Sequence, residues 1–205
     1  MLDRMALKLF RPLIERAAQN LAARGLTADQ ASFIGFAFGM LAALLIALGE
    51  PWAAILPLLA NRALDGVDGA LARLTRASER GAFLDISLDF VFYGAVPLAF
   101  ALAAPQDNAL AASVLLAAFL GTGTSFLAFA IIAEKRGLRS TAYPNKSFYY
   151  LGGLTEGTET VLCFLAMCLW PQHFALIALV YAAMCAVTVV TRLIAGWKMF
   201  GGARS

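Results

Sequence analysis

Charged residues are scarce in this chain, and their scarcity excludes most classes of soluble protein. Of the 205 residues only 14% are charged, whereas 61% are hydrophobic. The mean hydropathy is +0.76. A soluble globular domain carries about 25% charged residues. The composition therefore predicts a protein that crosses a membrane several times.

Cysteine is also rare, and its placement favours a structural role over a metal or redox role. Cys163, Cys168 and Cys185 lie within apolar runs, at spacings that match neither a metal site nor a redox motif. We interpret them as small buried hydrophobic residues. The first apolar run begins only after about thirty mixed and charged residues, so we expect no cleavable signal peptide.

Apolar runs of membrane-spanning length recur along the chain. Each approaches the ~20 residues that an α-helix needs to cross the hydrocarbon layer. The predicted spans are residues 31–48, 52–75, 82–104, 109–133, 148–170 and 173–197.

The segment before the first span has a different pattern. Residues 1–25 carry apolar and basic side chains on separate helical faces, which predicts an amphipathic helix in the membrane interface, kinked or split at Pro12. The predicted fold is an all-α integral membrane protein with six transmembrane helices. We expect a single domain over 1–205, in which the interfacial helix precedes a bundle at 31–198.

Basic residues are missing from the connections on one side of the predicted bundle. The segments around Glu50, at 104–108 and at 171–173 contain no Lys or Arg. The other connections and both ends of the chain contain Arg4, Lys8, Arg11, Arg16, Arg24, Arg76, Arg80, Lys135, Arg136, Arg139, Lys146, Lys198 and Arg204. Because basic residues collect in cytoplasmic loops, we expect both termini to face the cytoplasm.

Four aspartates lie inside the second and third predicted spans, near their basic ends. A carboxylate within a bilayer costs roughly 2.5–3.5 kcal/mol on insertion scales, so such groups need partners and indicate function. At about 100° per residue, Asp65 and Asp68 share a face of one helix, and Asp85 and Asp89 share a face of the next. We expect the four carboxylates to converge near the cytoplasmic surface and to bind divalent cations, because Mg²⁺ prefers hard oxygen ligands.

Small residues and one arginine accompany the aspartates on the same helical faces. Gly69, Ala72 and Gly81 leave room for a bulky ligand to approach the backbone. Arg73 carries a guanidinium that can donate two parallel hydrogen bonds to phosphate oxygens. Each glycine alone would be typical of helix packing. The set taken together is hard to explain as packing.

The complete pattern resembles the signature of a known family. It reads Asp65-Gly-Val-Asp68-Gly69-Ala-Leu-Ala72-Arg73, then seven residues, then Gly81-Ala-Phe-Leu-Asp85-Ile-Ser-Leu-Asp89. This resembles the CDP-alcohol phosphotransferase family, and the neighbouring string Asn61-Arg-Ala-Leu-Asp65 is similar to a bacterial inner-membrane branch of it. One departure is Thr27-Ala28-Asp29, where many members have Thr-Pro-Asn.

The resemblance implies an activity and partners. A membrane transferase would move a substituted phosphate, most familiarly phosphatidyl from CDP-diacylglycerol, to the hydroxyl of an alcohol acceptor. CMP would be released, in phospholipid biosynthesis. It implies a homodimer in the bacterial inner membrane, with its active site on the cytoplasmic side, and no nucleic-acid partner.

The resemblance also implies roles for residues of this chain. Asp65, Asp68, Asp85 and Asp89 would hold one or two Mg²⁺ or Mn²⁺ ions against the donor diphosphate, and Asp89 would be the general base toward the acceptor hydroxyl. The residues that would surround the cytidine and its phosphates are Gly69, Ala72, Arg73 and Gly81.

Residues beyond the signature are candidates for binding the acceptor. Glu156 and Glu159 lie one turn apart in the fifth predicted span, about two to three turns inside it. They would form a wall of the acceptor site or, alternatively, a structural pair with Arg62. The basic residues Arg139, Lys146 and Arg192 would bind a phosphorylated or acidic acceptor, or else serve topology and contact anionic lipid.

Two other functions place acidic residues in a membrane. A divalent-cation carrier would explain the aspartates, but Arg73 beside them would repel a passing cation, and the span beyond Asp89 is almost wholly apolar. Membrane prenyltransferases also bind a diphosphate through Mg²⁺. Their two acidic motifs, however, are separated by far more chain than lies between Arg73 and Asp85.

Overall fold

The structure is a computed structural model that describes residues 2–75, 77–138 and 154–201. Every regular element in these ranges is a helix. The α-helices are α1 (Leu2–Ala23), α2 (Ala28–Ala47), α3 (Pro51–Leu74), α4 (Glu79–Ala103), α5 (Pro105–Lys135), α6 (Gly157–Leu169) and α7 (Phe174–Phe200), and a 3₁₀ turn at Pro171–His173 precedes α7. The all-α prediction is confirmed.

The helices α2 to α7 correspond to the six predicted spans, but they are not equally suited to crossing a membrane. In the described ranges, α2, α4, α5 and the segment Pro171–Phe200 are long and apolar enough to do so. The helix α3 has sufficient length but carries the charged motif. The helix α6 has 13 residues, about 20 Å, against a hydrocarbon layer of ~30 Å. Six transmembrane helices therefore remain a prediction.

The amphipathic helix α1 is continuous from Leu2 to Ala23 and contains Pro12 within it. Of the two expectations for Pro12, the split is therefore wrong, and the kink stays a prediction. A proline removes one backbone hydrogen bond, and the packing of the second half of α1 supports the helix beyond it. Ile14 and Ala18 pack against Val67 and Leu71 on α3. The helix α1 thus lies against the end of α3 that carries the aspartates.

Side-chain caps define the start of α2 and of α4. Thr27 and Gln30 form the reciprocal capping box that the sequence predicts: the Thr27 N–H donates to Gln30 Oε1 at 3.0 Å, and the Gln30 N–H donates to Thr27 Oγ1 at 3.2 Å. Ser78 Oγ accepts from the Gly81 N–H at 3.0 Å. Both caps lie at the end of the bundle where α3 finishes.

The helix α2 packs closely against both α3 and α4, whereas α3 and α4 make hardly any close backbone contact. The aspartates come from the second and third predicted spans, as expected, and α2 adds Ser32, Gly35 and Phe36 to the same pocket. Small residues of α2 allow the approach. A Cβ at Gly35 would lie 3.1 Å from Leu64 Cβ, and a Cβ at Gly39 would lie 2.7 Å from Phe92 Cδ2.

The main hydrophobic core lies at the other end of the bundle. Its largest fully buried side chains include Phe92, Phe164 and Phe174, with Leu58 and Leu115. Aromatic rings contact one another there, as in the stacked pair Phe100 and Phe174, whose centroids are 4.5 Å apart. The polar end is therefore built on a packed apolar base.

Candidate active site

All four aspartates line one pocket at the polar end of the bundle. The pocket encloses about 260 Å³, including its open mouth. Asp65 and Asp68 reach it from α3, and Asp85 and Asp89 reach it from α4. The other lining residues are Ser32, Gly35, Phe36, Asn61, Arg62 and Leu88. The convergence of the four carboxylates is thus as the helical spacing predicts.

Three of these carboxylates lie close enough to share a cation. Asp65, Asp85 and Asp89 each offer one oxygen, and the three oxygens lie within 4.8 Å of one another. Like charges at such distances repel, and a bound cation removes that cost. Carboxylate oxygens in a pocket open to water are ligands that Mg²⁺ and Mn²⁺ accept. The residues therefore fit a divalent metal.

Asp68 has a different environment from the other three. It is buried, and its Oδ2 accepts a hydrogen bond from Ser32 Oγ at 2.5 Å. The Ala28 backbone oxygen lies farther from the same hydroxyl, at 3.2 Å. The sequence reasoning missed Ser32. Its signal was available, because Ser32 is the one hydroxyl side chain in the helix α2 and lies one turn after the capping box.

Arg62 also lies inside the acidic pocket. Its Nη2 donates to Asp89 Oδ1 at 2.6 Å, and its Nη1 lies 3.5 Å from Asp65 Oδ2. These two aspartates are the acidic partners that the structure gives Arg62, and its pairing with Glu156 and Glu159 stays a prediction. Arg62 lies three residues before Asp65, so both occur on one face of α3. Pairing across to Asp89 further compensates charge within the pocket itself.

The candidate nucleotide-binding residues lie beside the pocket rather than in its lining. A Cβ at Gly69 would meet only Arg73 Nη1, at 3.5 Å, so that face of α3 is open. Arg73 is exposed in the last turn of α3, near Ala72. Gly81 is more enclosed, since a Cβ there would lie 3.2 Å from Ser78 Oγ and 3.4 Å from Asp29 Oδ1.

The candidate acceptor residues do not line the aspartate pocket. Glu156 is buried at the position that precedes α6, and Glu159 is in the first turn of that helix. The expectation that both lie two to three turns inside a helix is wrong, because Leu154 to Glu156 are not helical. Carboxylates at a helix start are favoured by the helix dipole.

Arg192 is buried between α5 and α7. Its Nη1 donates to the Thr122 backbone oxygen at 3.0 Å, and its guanidinium lies over the Phe126 ring at 5.5 Å. The remaining candidates, Arg139 and Lys146, lie outside the residues that the structure describes.

Comparison with known proteins identifies the family. Residues 25–195 match the CDP-alcohol phosphatidyltransferase family, and this stretch includes the whole acidic pocket. This chain belongs to the CDP-alcohol phosphatidyltransferase family. It is therefore a phosphotransferase, which removes the cation-carrier and prenyltransferase alternatives.

Two relatives and two solved structures resemble the chain. The inner membrane protein YnjF of Escherichia coli (strain K12) is 51% identical over 197 residues, which cover 96% of each chain. Archaetidylinositol phosphate synthase of Pyrococcus horikoshii is 39% identical over 90 residues, covering 43% of this chain and 47% of that protein.

Both solved structures are of the phosphatidylinositol phosphate synthase PgsA1 of Mycobacterium tuberculosis. The structure with CDP-DAG bound has a TM-score of 0.73 at 23% identity, covering 91% of this chain and 94% of that one. The complex with manganese and citrate has a TM-score of 0.71 at 24% identity, covering 90% and 88%. These similarities establish that the fold of this chain is shared with membrane phosphotransferases.

Proposed function

We propose that this protein transfers a phosphatidyl group from CDP-diacylglycerol to the hydroxyl of an alcohol and releases CMP. The observation that carries the proposal is the convergence of Asp65, Asp85 and Asp89 within 4.8 Å, in a pocket lined by the helix that also carries Gly69 and Arg73. Family membership supports the donor class, and so does the fold shared with PgsA1, whose structure contains CDP-DAG.

The metal of this reaction would be Mg²⁺ or Mn²⁺, as one ion or two. Asp65, Asp68, Asp85 and Asp89 would hold it. When bound, it would neutralise negative charge on the diphosphate oxygens. The close carboxylates of this pocket support the assignment, together with the manganese in the PgsA1 complex.

The nucleotide would lie across the open face at the end of α3. At Gly69 the lack of a side chain leaves the backbone accessible, and Ala72 adds little bulk one turn later. Arg73, exposed at the same end, can donate two parallel hydrogen bonds to phosphate oxygens. Gly81, near Asp29, would complete this surface from α4.

The chemistry requires a base beside the acceptor. The acceptor oxygen attacks the phosphorus attached to the lipid alcohol, the bond from that phosphorus to the CMP oxygen breaks, and CMP leaves. We assign the acceptor proton to Asp89. Its Oδ1 accepts a hydrogen bond from Arg62, and a carboxylate has a second oxygen with which to take a proton.

The acceptor would bind at the side of the pocket toward α6 and α7. Glu156, Glu159 and Arg192 are the described candidates, and Arg139 and Lys146 would add positive charge for a phosphorylated acceptor. The names of one relative, archaetidylinositol phosphate synthase, and of one structural neighbour, phosphatidylinositol phosphate synthase, make phosphorylated polyols the first acceptors to test.

The setting of the reaction belongs to the same proposal. The 205 residues would form one domain in the bacterial inner membrane, as a homodimer, with six transmembrane helices. Both termini and the pocket would face the cytoplasm. The distribution of basic residues and the 51% identity to an inner membrane protein support this arrangement.

The test is a direct assay on the purified protein. It would be incubated with CDP-diacylglycerol, Mg²⁺ or Mn²⁺, and a panel of alcohols that includes inositol phosphate, glycerol phosphate and serine. We expect CMP release that requires one acceptor and stops with EDTA, together with a new phospholipid. Cleavage of CDP-diacylglycerol without any transfer to an alcohol, or no reaction with the whole panel, would contradict the proposal.

A further inference from the structure

Arg62 is held in the acidic pocket by more groups than the carboxylates. Its Nε donates to Asn61 Oδ1 at 2.8 Å, and its Nη1 donates to Tyr93 Oη at 3.1 Å. The guanidinium carbon lies 5.0 Å from the Phe92 ring centroid and 5.4 Å from that of Tyr93. Neutral partners on α3 and α4 thus surround the arginine, in addition to Asp65 and Asp89.

The neutral partners are themselves fixed to the neighbouring helix. Asn61 is buried, and its Nδ2 donates to the Gly35 backbone oxygen on α2 at 2.9 Å. Phe92 is fully buried and contacts the position of Gly39 on the same helix. These contacts do not depend on any carboxylate, so a cation entering the pocket would leave them in place.

The two ion pairs of Arg62 differ in closeness. Arg62 Nη2 donates a hydrogen bond to Asp89 Oδ1 at 2.6 Å, whereas its Nη1 lies 3.5 Å from Asp65 Oδ2. A divalent cation competing for carboxylates would therefore take Asp65 from Arg62 more readily than Asp89. A charge-assisted bond at 2.6 Å is among the strong ones.

We propose that Arg62 is a resident positioning residue, which stays in the pocket when metal binds and holds Asp89 by one oxygen. This inference rests on the proposed function, in which Asp89 is the base. It assigns Asp65 as the carboxylate that Arg62 releases to the cation, while Asp89 keeps Arg62 on Oδ1 and has its second oxygen available to the site. It also requires arginine, because a lysine ammonium cannot contact Asn61, Tyr93 and Asp89 from one planar group.

Thermal unfolding of the purified full-length protein tests whether Arg62 stays. Wild type and Arg62→Met are melted in EDTA and in saturating Mn²⁺. In EDTA we expect Arg62→Met to melt at a lower temperature than wild type. If Arg62 stays in the pocket when metal binds, at least half of that difference persists in Mn²⁺. If the metal takes the place of Arg62, Mn²⁺ removes most of that difference, and the proposal is overturned.

The variant Arg62→Lys tests positioning, because it keeps the positive charge but loses the planar guanidinium with its several N–H donors. We expect kcat to fall about 10- to 100-fold, as for a misplaced catalytic group, while the KM for the donor and the Mn²⁺ affinity change less than about threefold. A wild-type kcat would overturn the proposal. The matched control is Arg136→Lys, since Arg136 lies over Phe200 and bonds its backbone oxygen, away from the carboxylates; we expect wild-type kinetics from it.

Two safeguards keep the test decisive. If Arg62→Met does not fold, Tyr93→Phe replaces it, because this change keeps the ring and removes only the oxygen that accepts from Arg62. We then expect Tyr93→Phe to melt below wild type in both EDTA and Mn²⁺, by less than Arg62→Met would. If the difference from wild type disappears in Mn²⁺, the proposal is overturned. If the wild type transfers nothing to any acceptor, the proposed function fails, and the melting experiment alone decides the inference about Arg62.

Discussion

In the half of the bundle formed by α2, α3 and α4, charged side chains bond polar side chains of the neighbouring helix. In the half formed by α5, α6 and α7, the bonds between helices come from hydroxyl groups and from Arg192. Ser32 bonds Asp68, and Arg62 bonds Asp89, each between two helices. In the other half Thr188 Oγ1 accepts from the backbone N–H groups of Leu154 and Thr155, each at 3.2 Å.

The difference follows from what each half must do. Buried polar groups in a membrane need partners in either case, since no water is available to them in hydrocarbon. Neutral hydroxyls meet that need at a low desolvation cost and join segments firmly. Carboxylates cost more, so the convergence of three of them within 4.8 Å indicates that binding and chemistry, rather than stability, keep them there.

The largest effect is expected from Asp89→Asn. This change keeps the shape of the side chain and removes the base, so turnover should fall by at least about 10²- to 10⁴-fold. Binding of CDP-diacylglycerol should largely survive. CMP release and nucleotide binding measure the two effects. Asp107→Asn, at an exposed aspartate at the start of α5, is the control and should be neutral. Full turnover in Asp89→Asn would remove Asp89 from the chemistry.

A smaller but still large effect is expected from Asp65→Asn and Asp85→Asn. Each removes one of the carboxylates that converge within 4.8 Å, so the affinity for Mn²⁺ should fall at least about tenfold. Electron paramagnetic resonance of free Mn²⁺ measures it in titrations. Asp107→Asn again serves as the control. Wild-type affinity in both variants would mean that the metal binds elsewhere.

The close packing of α2 is tested by Gly39→Ala. The new methyl would lie 2.7 Å from Phe92 Cδ2 and 3.0 Å from Asn61 Nδ2, and overpacking of this kind costs about 1–3 kcal/mol. Thermal unfolding measures the loss. The control is Gly94→Ala, where the nearest atom is Leu116 Cδ2 at 3.8 Å. Equal stability of the two variants would show that α2 can shift without cost.

The smallest effect is expected in the hydroxyl half, from Thr188→Val. The change leaves the N–H groups of Leu154 and Thr155 without the oxygen that they bond, and such bonds in membranes contribute about 0.6–1.7 kcal/mol each. We expect lower stability and unchanged Mn²⁺ affinity. Thr124→Val, whose exposed hydroxyl bonds Leu120 in its own helix, is the control. A loss of Mn²⁺ affinity in Thr188→Val would contradict the separation of the two halves.

Much of the acidic pocket could be predicted because its spacing is local. Asp65 and Asp68 lie within one turn, and so do Asp85 and Asp89, so helix geometry alone places each pair on one face. The capping box at Thr27 is local in the same sense. By contrast, the bond from Arg62 to Asp89 and the position of Glu156 depended on neighbours distant in the chain. The first was not predicted, and the predicted depth of Glu156 was wrong.

The sequence by itself determined the membrane class, the helical segments and the face of each helix that carries the carboxylates, because hydropathy and the 3.6-residue period are properties of short segments. Only the tertiary structure decided that α2 packs against both α3 and α4, that Ser32 reaches Asp68, and that Arg62 bonds Asp89. These contacts join residues 27 to 36 positions apart, and which surfaces meet is settled by the packing of whole helices.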